Sequence, residues 1–302
     1  MNWWNEFASR TRTDEPLGRK TWFHLGGRAR YYFQPDGEED LAAMTVRAKT
    51  EGVPLRVLGE GANILVSDDG FDGVVVRLDG PSFRSVKEKP DGIEVGAGVD
   101  LMPLARTCSA RGWSGLECLA GIPATIGGAV RTNAGGRFGE IGDVVRSVRV
   151  MDQDGRIETW PRERLGFGYR RSAIGDRIVL SADLALVRDD PDRTRAKFEE
   201  VFEYKLQSQP MADKSAGCIF KNPQGGSAGA MIDRAGLKGV RSGGARVSER
   251  HANFIVADKG ASASDVLNLI DVVRNRVRDA FDTELELEIH VWKPVGTGRG
   301  AA

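Results

Sequence analysis

Ala120-Gly121-Ile122-Pro123-Ala124-Thr125-Ile126-Gly127-Gly128-Ala129-Val130 forms a segment rich in glycine and alanine, with no charged side chain before Arg131. Small side chains leave the backbone bare, and glycine reaches φ values that other residues avoid, so peptide N–H groups can approach a ligand closely. The functional interpretation is a planar or phosphorylated cofactor lying against this backbone. The structural alternative is a glycine-rich turn between strands, and the segment alone supports both interpretations.

A second segment of the same character lies upstream, at Leu58-Gly59-Glu60-Gly61-Ala62-Asn63-Ile64-Leu65-Val66, after the apolar strand candidate 53–57. Its G-x-G-x-x-I spacing lacks the third glycine of the dinucleotide-binding fingerprint, and Gly96-Ala97-Gly98 lacks it too. The expected acidic residue after a following strand is also missing. The repeated glycine loops therefore favour a diphosphate held by loop amides between two small lobes.

Hydrophobic periodicity predicts an interleaved helix and strand pattern at the start of the chain and a strand-rich middle. The predicted helices are 38–50, 101–111, 195–204 and a helix carrying Val266 to Phe281, capped by Ser262 or Ser264. The predicted strands are 73–78, 92–95, 144–151, 156–160, 178–187, 217–223 and 284–291. Residues 152–155 predict a hairpin turn, 206–214 a loop, and the chain from Gly296 a disordered tail.

Composition excludes several classes of protein. The 43 basic residues balance the 43 acidic ones, which disfavours a nucleic-acid partner, and no apolar run approaches the ~20 residues of a membrane span. Three cysteines without CxxC pairing argue against a disulfide framework and against zinc, so we expect no metal. The N-terminus has no signal-peptide pattern, and we expect a cytoplasmic monomer that avoids membranes.

Six motifs, in order along nearly the whole chain, resemble the UDP-N-acetylenolpyruvoylglucosamine reductase family. They are residues 59–68, 120–129, Gly168-Tyr169-Arg170, Ser215-Ala216-Gly217-Cys218-Ile219-Phe220-Lys221-Asn222-Pro223, Ala235-Gly236-Leu237-Lys238-Gly239 and Leu285-Glu286-Leu287-Glu288-Ile289. The short connection from Asp183 to Ser215 is similar to the shorter subclass, which lacks a tyrosine-bearing loop over the substrate.

The resemblance implies an α+β fold. A two-subdomain FAD-binding domain of the vanillyl-alcohol-oxidase type would precede a C-terminal α+β substrate-binding domain. We expect the first FAD subdomain at 1–79, with the tail 290–302 returning to it, the second at 80–190, and the substrate domain at 195–290.

The resemblance also implies a reaction: FAD takes a hydride from NADPH and passes it to the enolpyruvyl ether of UDP-N-acetylglucosamine enolpyruvate, giving UDP-N-acetylmuramate for peptidoglycan synthesis. Such chemistry needs a cation at the substrate carboxylate and a proton donor at the alkene. By position in the motifs, Arg170 is the cation, Cys218 the proton donor and Glu288 a carboxyl beside the substrate. Without the resemblance, the three would be a solvated arginine, a core thiol and a strand surface carboxylate.

Cys218 departs from the serine usual in the family. A thiol with a pKa near ~8.5 stays mostly protonated at neutral pH and keeps a donor there. Glu60 and Ala62 also depart, since the family commonly has glycine and serine at those positions, but backbone amides can still bind a diphosphate.

Residues that would bind FAD or the substrate follow from the same motifs. The expected FAD-binding residues are Gly59, Glu60, Gly61, Ala62, Asn63, Ile64, Gly121, Ile122, Pro123, Ala124, Thr125, Gly127, Gly128, Ala129 and Ile178. The expected substrate-binding residues are Tyr169, Lys221 and Asn222. Lys205 and Gln209 are either nucleotide contacts or ordinary polar residues on a helix surface.

Two other functions remain open at this point. One is an FAD-dependent oxidase of the same fold, with His24 or Cys118 as a covalent flavin anchor. The other is a non-catalytic sugar-nucleotide-binding homologue, which Ala62 and the serine-to-cysteine change would suit.

Overall fold

The computed structural model of the chain describes residues 3–294. The chain divides into two compact units, each assembled from separate stretches of sequence. Among the described residues, the first unit contains 3–11, Phe33–Glu60 and Val76–Ser208, and the second contains Arg12–Tyr32, Gly61–Val75 and 209–294. The three domains with bounds at 79, 190 and 195 stay a prediction.

Helices and short strands alternate along the described chain. The α-helices are α1 (Glu38–Thr50), α2 (Leu101–Ala110), α3 (Ile126–Thr132), α4 (Pro191–Ser208), α5 (Ala228–Arg234) and α6 (Ala263–Phe281). The strands are β1 (Thr11–Pro16), β2 (Arg28–Phe33), β3 (Leu55–Val57), β4 (Ile64–Val66), β5 (Phe71–Val76), β6 (Val86–Lys89), β7 (Gly92–Gly96), β8 (Trp113–Ser114), β9 (Gly135–Gly136), β10 (Gly139–Glu140), β11 (Val145–Met151), β12 (Ile157–Pro161), β13 (Ile178–Ala185), β14 (Val187–Arg188), β15 (Arg241–Ser242), β16 (Ala245–Val247), β17 (Ile255–Ala257) and β18 (His290–Trp292). Short 3-10 helices cover Asn5–Arg10, Gly18–Lys20, Pro81–Phe83, Glu117–Leu119, Ile141–Asp143 and Arg162–Leu165.

The first unit is organised by a five-stranded antiparallel sheet in the order β12-β11-β13-β7-β6. Its inward side chains are branched and fully buried, as Val148 and Leu184 illustrate. The hairpin predicted at 152–155 is confirmed by the antiparallel pairing of β11 with β12. The Arg149 guanidinium in β11 binds both carboxylate oxygens of Glu38 at 2.7 and 2.9 Å, which ties α1 to the sheet.

The second unit is organised by α6 and the antiparallel sheet β15-β16-β17. The predicted Ser262 cap is confirmed: its hydroxyl accepts from the Asp265 amide at 3.1 Å, while the Asp265 carboxylate accepts from the Ser262 amide at 3.0 Å. One face of α6 packs into the core through Val266, Leu269, Ile270, Val273 and Val277. In the same unit β18 pairs in parallel with β4.

Four local predictions were wrong. Segments 217–223 and 284–291 are not continuous strands: only isolated bridges, Cys218 to Phe254 and Phe220 to Leu287, are present besides the short β18. The glycine segment was expected as a loop, yet residues 126–132 form α3. Helix α4 is longer than predicted and ends at Ser208, inside the expected loop. The tail from Gly296 lies outside the described residues.

Candidate functional site

A pocket in the first unit encloses about 490 Å³, part of it open to solvent. The lining residues are Val57, Leu58, Gly59, Arg77, Leu78, Ala97, Gly98, Thr125, Gly127, Gly128, Arg131, Arg177, Ile178 and Val179. The predicted FAD residues Gly59, Thr125, Gly127, Gly128 and Ile178 are therefore brought together, although they come from three distant parts of the sequence.

The two glycine segments meet at this pocket. A Cβ atom on Gly59 would lie 2.7 Å from the Thr125 hydroxyl oxygen, and one on Gly127 would lie 3.0 Å from the Ala97 Cβ. Both distances are shorter than ordinary carbon contacts, so side chains would force the segments apart. Gly128 differs, because its added Cβ would meet only the Thr125 hydroxyl at 3.5 Å. Glycine is thus needed at Gly59 and Gly127 because other atoms lie close to the backbone, whereas at Gly128 it leaves open space.

The first amides of α3 already have protein partners. Ile126 donates to the Val99 carbonyl and Gly127 to the Ala97 carbonyl, both at 2.9 Å, and Gly128 donates to the Thr125 hydroxyl at 3.3 Å. Thr125 is thus the N-cap of α3. These three amides at the start of α3 are therefore already hydrogen-bonded within the protein, and the segment forms part of the pocket wall.

Arginine supplies the pocket's positive charge, and sequence reasoning missed it. Arg77, Arg131 and Arg177 all line the cavity. The Arg177 guanidinium lies 4.6 Å from the centre of the Trp160 ring, while Arg131 donates to the Arg177 carbonyl at 3.2 Å. Neither spacing nor composition marks these arginines. Arg77 follows β5, Arg131 lies in α3 and Arg177 precedes β13, and the three positions come together only in the folded chain.

The other residues of the downstream glycine segment lie in or beside α3. Ala129 is fully buried in the helix, and the Ala124 carbonyl accepts from the Leu101 amide at 2.8 Å. Ile122 donates to the Leu119 carbonyl at 3.1 Å, and Pro123 is half-buried between the two. None of the four lines the pocket.

The rest of the upstream loop lies in the second unit. Gly61 has φ +68°, and its added Cβ would lie 2.3 Å from the Lys20 carbonyl oxygen, so only glycine fits there. Ala62 and Ile64 are half-buried. The Asn63 amide donates to the Glu288 carbonyl at 3.3 Å, and its own carbonyl accepts from the His290 amide at 3.0 Å.

In the second unit, the backbone at Glu288 runs beside the Cys218 segment. The Glu288 amide donates to the carbonyl of Ile219, the residue after Cys218, at 2.8 Å. Both side chains are half-buried, so Glu288 is not the exposed strand residue of the structural alternative. Gly217, immediately before Cys218, has φ +74° and no atom within 4 Å of an added Cβ, so glycine is needed for conformation and not for space.

Asn253 fixes the Cys218 segment, and sequence reasoning missed it. Its side-chain amide donates to the Phe220 carbonyl at 2.7 Å, and its oxygen accepts from the Phe220 amide at 3.0 Å. Only 3% of Asn253 is exposed. A side chain here takes the place of a neighbouring strand, which explains why the segment is not a regular strand.

The predicted substrate residues Lys221 and Asn222 follow directly. The Lys221 ammonium pairs with the Glu286 carboxylate, and its amide donates to the Glu286 carbonyl at 2.8 Å. The Asn222 side-chain oxygen accepts from the Ala228 amide at 3.0 Å, at the start of α5.

Tyr169 and Arg170 occupy the tip of a tight turn in the first unit. Gly168 and Arg171 exchange backbone hydrogen bonds of 3.1 Å, and Arg170 has φ +55°, a conformation that costs energy for an arginine. The Arg170 guanidinium lies 5.4 Å from the Tyr169 ring centre. Fully buried Asn133 anchors the turn by donating to the Gly168 carbonyl at 3.1 Å.

Lys205 lies under the glycine segment, not on a helix surface. Its side chain is buried, and its ammonium donates to the Ala120 carbonyl at 2.6 Å. Burial, and to a smaller extent the positive charge of Arg170, lower the pKa of Lys205 to about 8. Gly121 leaves the room, since its added Cβ would lie 3.1 Å from the lysine stem. Burial also raises the pKa of nearby Cys118 to about 11, which makes its thiol a poor nucleophile.

Two other kinds of site were searched for in the described part of the chain. Residues 3–294 contain no group of three or more His, Cys, Asp or Glu side chains that could hold a metal ion. Within the same residues, no helix combines the length and apolarity that crossing a bilayer requires.

Two family models and several known reductases are similar to this chain. Residues 209–292 match the model of the UDP-N-acetylenolpyruvoylglucosamine reductase C-terminal domain, and residues 29–160 match an FAD-binding domain. The reductase of Heliobacterium modesticaldum is 41% identical over 289 residues, covering 95% of this chain and 92% of the relative. That of Moorella thermoacetica is 42% identical, covering 93% and 92%.

A solved structure is similar over almost the same length. The crystal structure of UDP-N-acetylenolpyruvylglucosamine reductase from Thermus caldophilus has a TM-score of 0.80 and 40% identity, and the match covers 94% of this chain and 98% of that one. The expected α+β fold, an FAD-binding domain followed by a C-terminal domain of this reductase, is confirmed.

Proposed function

The chain belongs to the UDP-N-acetylenolpyruvoylglucosamine reductase family, and from this premise we propose that Arg170, Cys218 and Glu288 are its catalytic residues. The protein is an oxidoreductase that reduces UDP-N-acetylglucosamine enolpyruvate to UDP-N-acetylmuramate with NADPH and FAD, a step of peptidoglycan precursor synthesis. The observation that supports the residue assignment is the 2.8 Å hydrogen bond from the Glu288 amide to the Ile219 carbonyl, which places the Glu288 backbone beside the segment that carries Cys218.

The first unit fits FAD. Its pocket offers a bare wall at Gly128, where an added Cβ would occupy free space, and guanidinium groups at Arg77, Arg131 and Arg177 for a diphosphate. FAD, when bound, supplies the hydride that it takes from NADPH. Gly59, Thr125 and Ile178 would hold the cofactor by contact along the pocket wall.

Arg170 provides the cation for the substrate carboxylate. A guanidinium binds two carboxylate oxygens in a fixed fork and stabilises negative charge as it develops there. The tight turn and the Asn133 anchor hold the Arg170 backbone in a strained conformation, so little reorganisation is needed when charge develops. Tyr169, 49% exposed at the tip of the same turn, would contact the substrate.

Cys218 donates the proton that completes the reduction, and Glu288 assists it. The neutral thiol transfers its proton to the carbon next to the carboxylate, and solvent then restores the thiol. Glu288 acts as a protonated carboxyl or through a water that it orients, because an ionised glutamate would repel the developing charge. Lys221 and Asn222 would bind the UDP moiety beside them. We propose that the enzyme works as a cytoplasmic monomer, where both UDP-sugars and NADPH are available.

Replacement of the thiol tests this assignment. Cys218→Ala should leave flavin reduction by NADPH nearly unchanged and slow substrate-dependent reoxidation by about 10²-fold or more, since general acid catalysis is worth that much. Cys218→Ser should retain appreciable reoxidation because a hydroxyl is also a donor. Cys108→Ala, which removes a buried thiol of the first unit, is the matched control and should change neither half-reaction. Equal slowing of both half-reactions in Cys218→Ala would show a structural role instead.

A further inference from the structure

Five charged side chains form a connected cluster beside the pocket, and the catalytic proposal uses none of them except Arg77. The charge cluster consists of Glu60, Arg77, Asp79, Arg84 and Asp100, all in the first unit. Arg77 contacts Glu60 at 2.9 Å and Asp79 at 3.2 Å. Arg84 contacts Asp79 at 3.2 Å and Asp100 at 3.5 Å. Glu60 is the residue that stands where the family commonly has glycine.

The charge cluster holds both glycine segments. Arg77 donates to the Gly59 carbonyl as well as to the Glu60 carboxylate, so it fixes the upstream loop by backbone and side chain together. Asp100 precedes α2 but makes no side-chain cap to it, and its backbone instead forms a bridge with Thr125. The chain of contacts therefore runs from Gly59 through Arg77, Glu60 and Asp100 to Thr125.

Charge in the cluster is unbalanced. Three carboxylates face two guanidinium groups, and Asp100 lies within hydrogen-bonding reach of Glu60. Burial raises the pKa of Asp100, and the Glu60 carboxylate raises it further, against the lowering effects of Arg84 and Arg77. A proton on Asp100, shared with the Glu60 carboxylate through a hydrogen bond, would bring the cluster to neutrality and replace a repulsion by an attraction.

We propose that Glu60 and Asp100 are positioning residues for flavin binding: the proton that Asp100 shares with Glu60 joins the Gly59 loop, which Arg77 holds, to Thr125, and this link is called the clamp. The inference rests on the proposed binding of FAD in this pocket. Arg77 lines the pocket and also neutralises Glu60 and Asp79. When the shared proton lowers the charge of the pair from two to one, more of the Arg77 field acts on the anionic cofactor.

The consequence is proton uptake on flavin binding. If the free protein has both carboxylates ionised and the bound protein holds the shared proton on Asp100, the Kd for FAD rises by up to tenfold per pH unit between the pKa of Asp100 in the free protein and its higher pKa in the bound protein. Below the lower of these two pKa values the Kd is constant. A purely structural contact would instead change the Kd by the same factor at every pH.

Titration of the flavin-free full-length protein with FAD, followed by quenching of flavin fluorescence from about pH 5 to about pH 9, tests the clamp. Wild type should show the rising Kd. Glu60→Gln and Asp100→Asn should each flatten the profile, because the new amide donates permanently to the remaining carboxylate. Glu94→Gln is the matched control: Glu94 is as exposed as Glu60 (33% against 31%), pairs with Lys89 and lies outside the pocket, so its variant should keep the wild-type slope.

The outcomes separate the two proposals. FAD binding with the same pH profile in wild type, Glu60→Gln and Asp100→Asn overturns the clamp and leaves the proposed function intact. Absence of FAD binding at every pH overturns both. A flat wild-type profile also overturns the clamp, because no proton is then linked to binding.

Discussion

Replacement of Lys205 by methionine should remove a pH dependence of stability that the wild type shows. The buried ammonium has a pKa of about 8 against an ordinary 10.5. That difference of about 2.5 pH units corresponds to about 3 kcal/mol at about 1.4 kcal/mol per unit. Below pH 8 the Lys205 side chain is protonated in both the folded and the unfolded chain, so folding must bury the charged ammonium and stability is reduced by the full amount. Between 8 and 10.5 the unfolded chain binds more protons, so stability rises with pH.

The measurement is urea unfolding at saturating FAD, at about pH 7 and about pH 10, with tryptophan fluorescence as the signal. The wild type should gain roughly 2 to 3 kcal/mol more than Lys205→Met over this interval. At pH 7 the variant should be close to wild type, because loss of the hydrogen bond to the Ala120 carbonyl offsets relief from burying a charge. Lys197→Met, on the same helix but 51% exposed, should behave as wild type. Equal gains in the wild type and in Lys205→Met would refute the buried-cation argument.

Two further substitutions test the pocket and the catalytic turn. Gly128→Val should raise the Kd for FAD at least about tenfold with little change in melting temperature, because the valine side chain enters open pocket space. Gly136→Val is the control: Gly136 also has no close neighbours, and its variant should leave the Kd unchanged. Equal Kd values for both variants would place the flavin elsewhere. Asn133→Asp keeps the acceptor for the Gly142 amide at 3.0 Å but loses the donor to the Gly168 carbonyl. The free energy of unfolding should fall by about 1–3 kcal/mol, and flavin reoxidation should slow more than flavin reduction. An unchanged reoxidation rate would show that this anchor does not act on Arg170.

Local patterns predicted the elements whose cause is local. Helix α1 was predicted with its observed bounds, since acidic residues open it and apolar ones recur at helical spacing. Helix α6 and its Ser262 cap were predicted for the same reason. The conformation of the Cys218 segment was not predicted, because it depends on two residues that are distant in sequence. Asn253 binds the segment through its side-chain amide, and Glu286 binds it through its backbone carbonyl. Helix α3 was missed because glycine weakens any helical pattern.

The candidate site divides in the same way. Gly59 and Thr125 could be predicted as pocket residues, because close backbone approach demands small side chains and leaves a signature in the sequence. Arg77, Arg131 and Arg177 could not, because an arginine beside a strand or within a helix gives the same sequence pattern whether its side chain faces solvent or a cavity. The sequence did not decide whether Lys205 contacts the nucleotide or lies on a helix surface. Only the fold shows that Gly121 makes room for its buried side chain.

The most direct test of the account is an anaerobic stopped-flow absorbance record of the purified protein in the visible flavin bands. We predict a yellow protein whose bands bleach on mixing with NADPH and return when UDP-N-acetylglucosamine enolpyruvate is added to the reduced protein. A colourless protein that added FAD cannot reconstitute, or bands that bleach but do not return with the substrate, would contradict it.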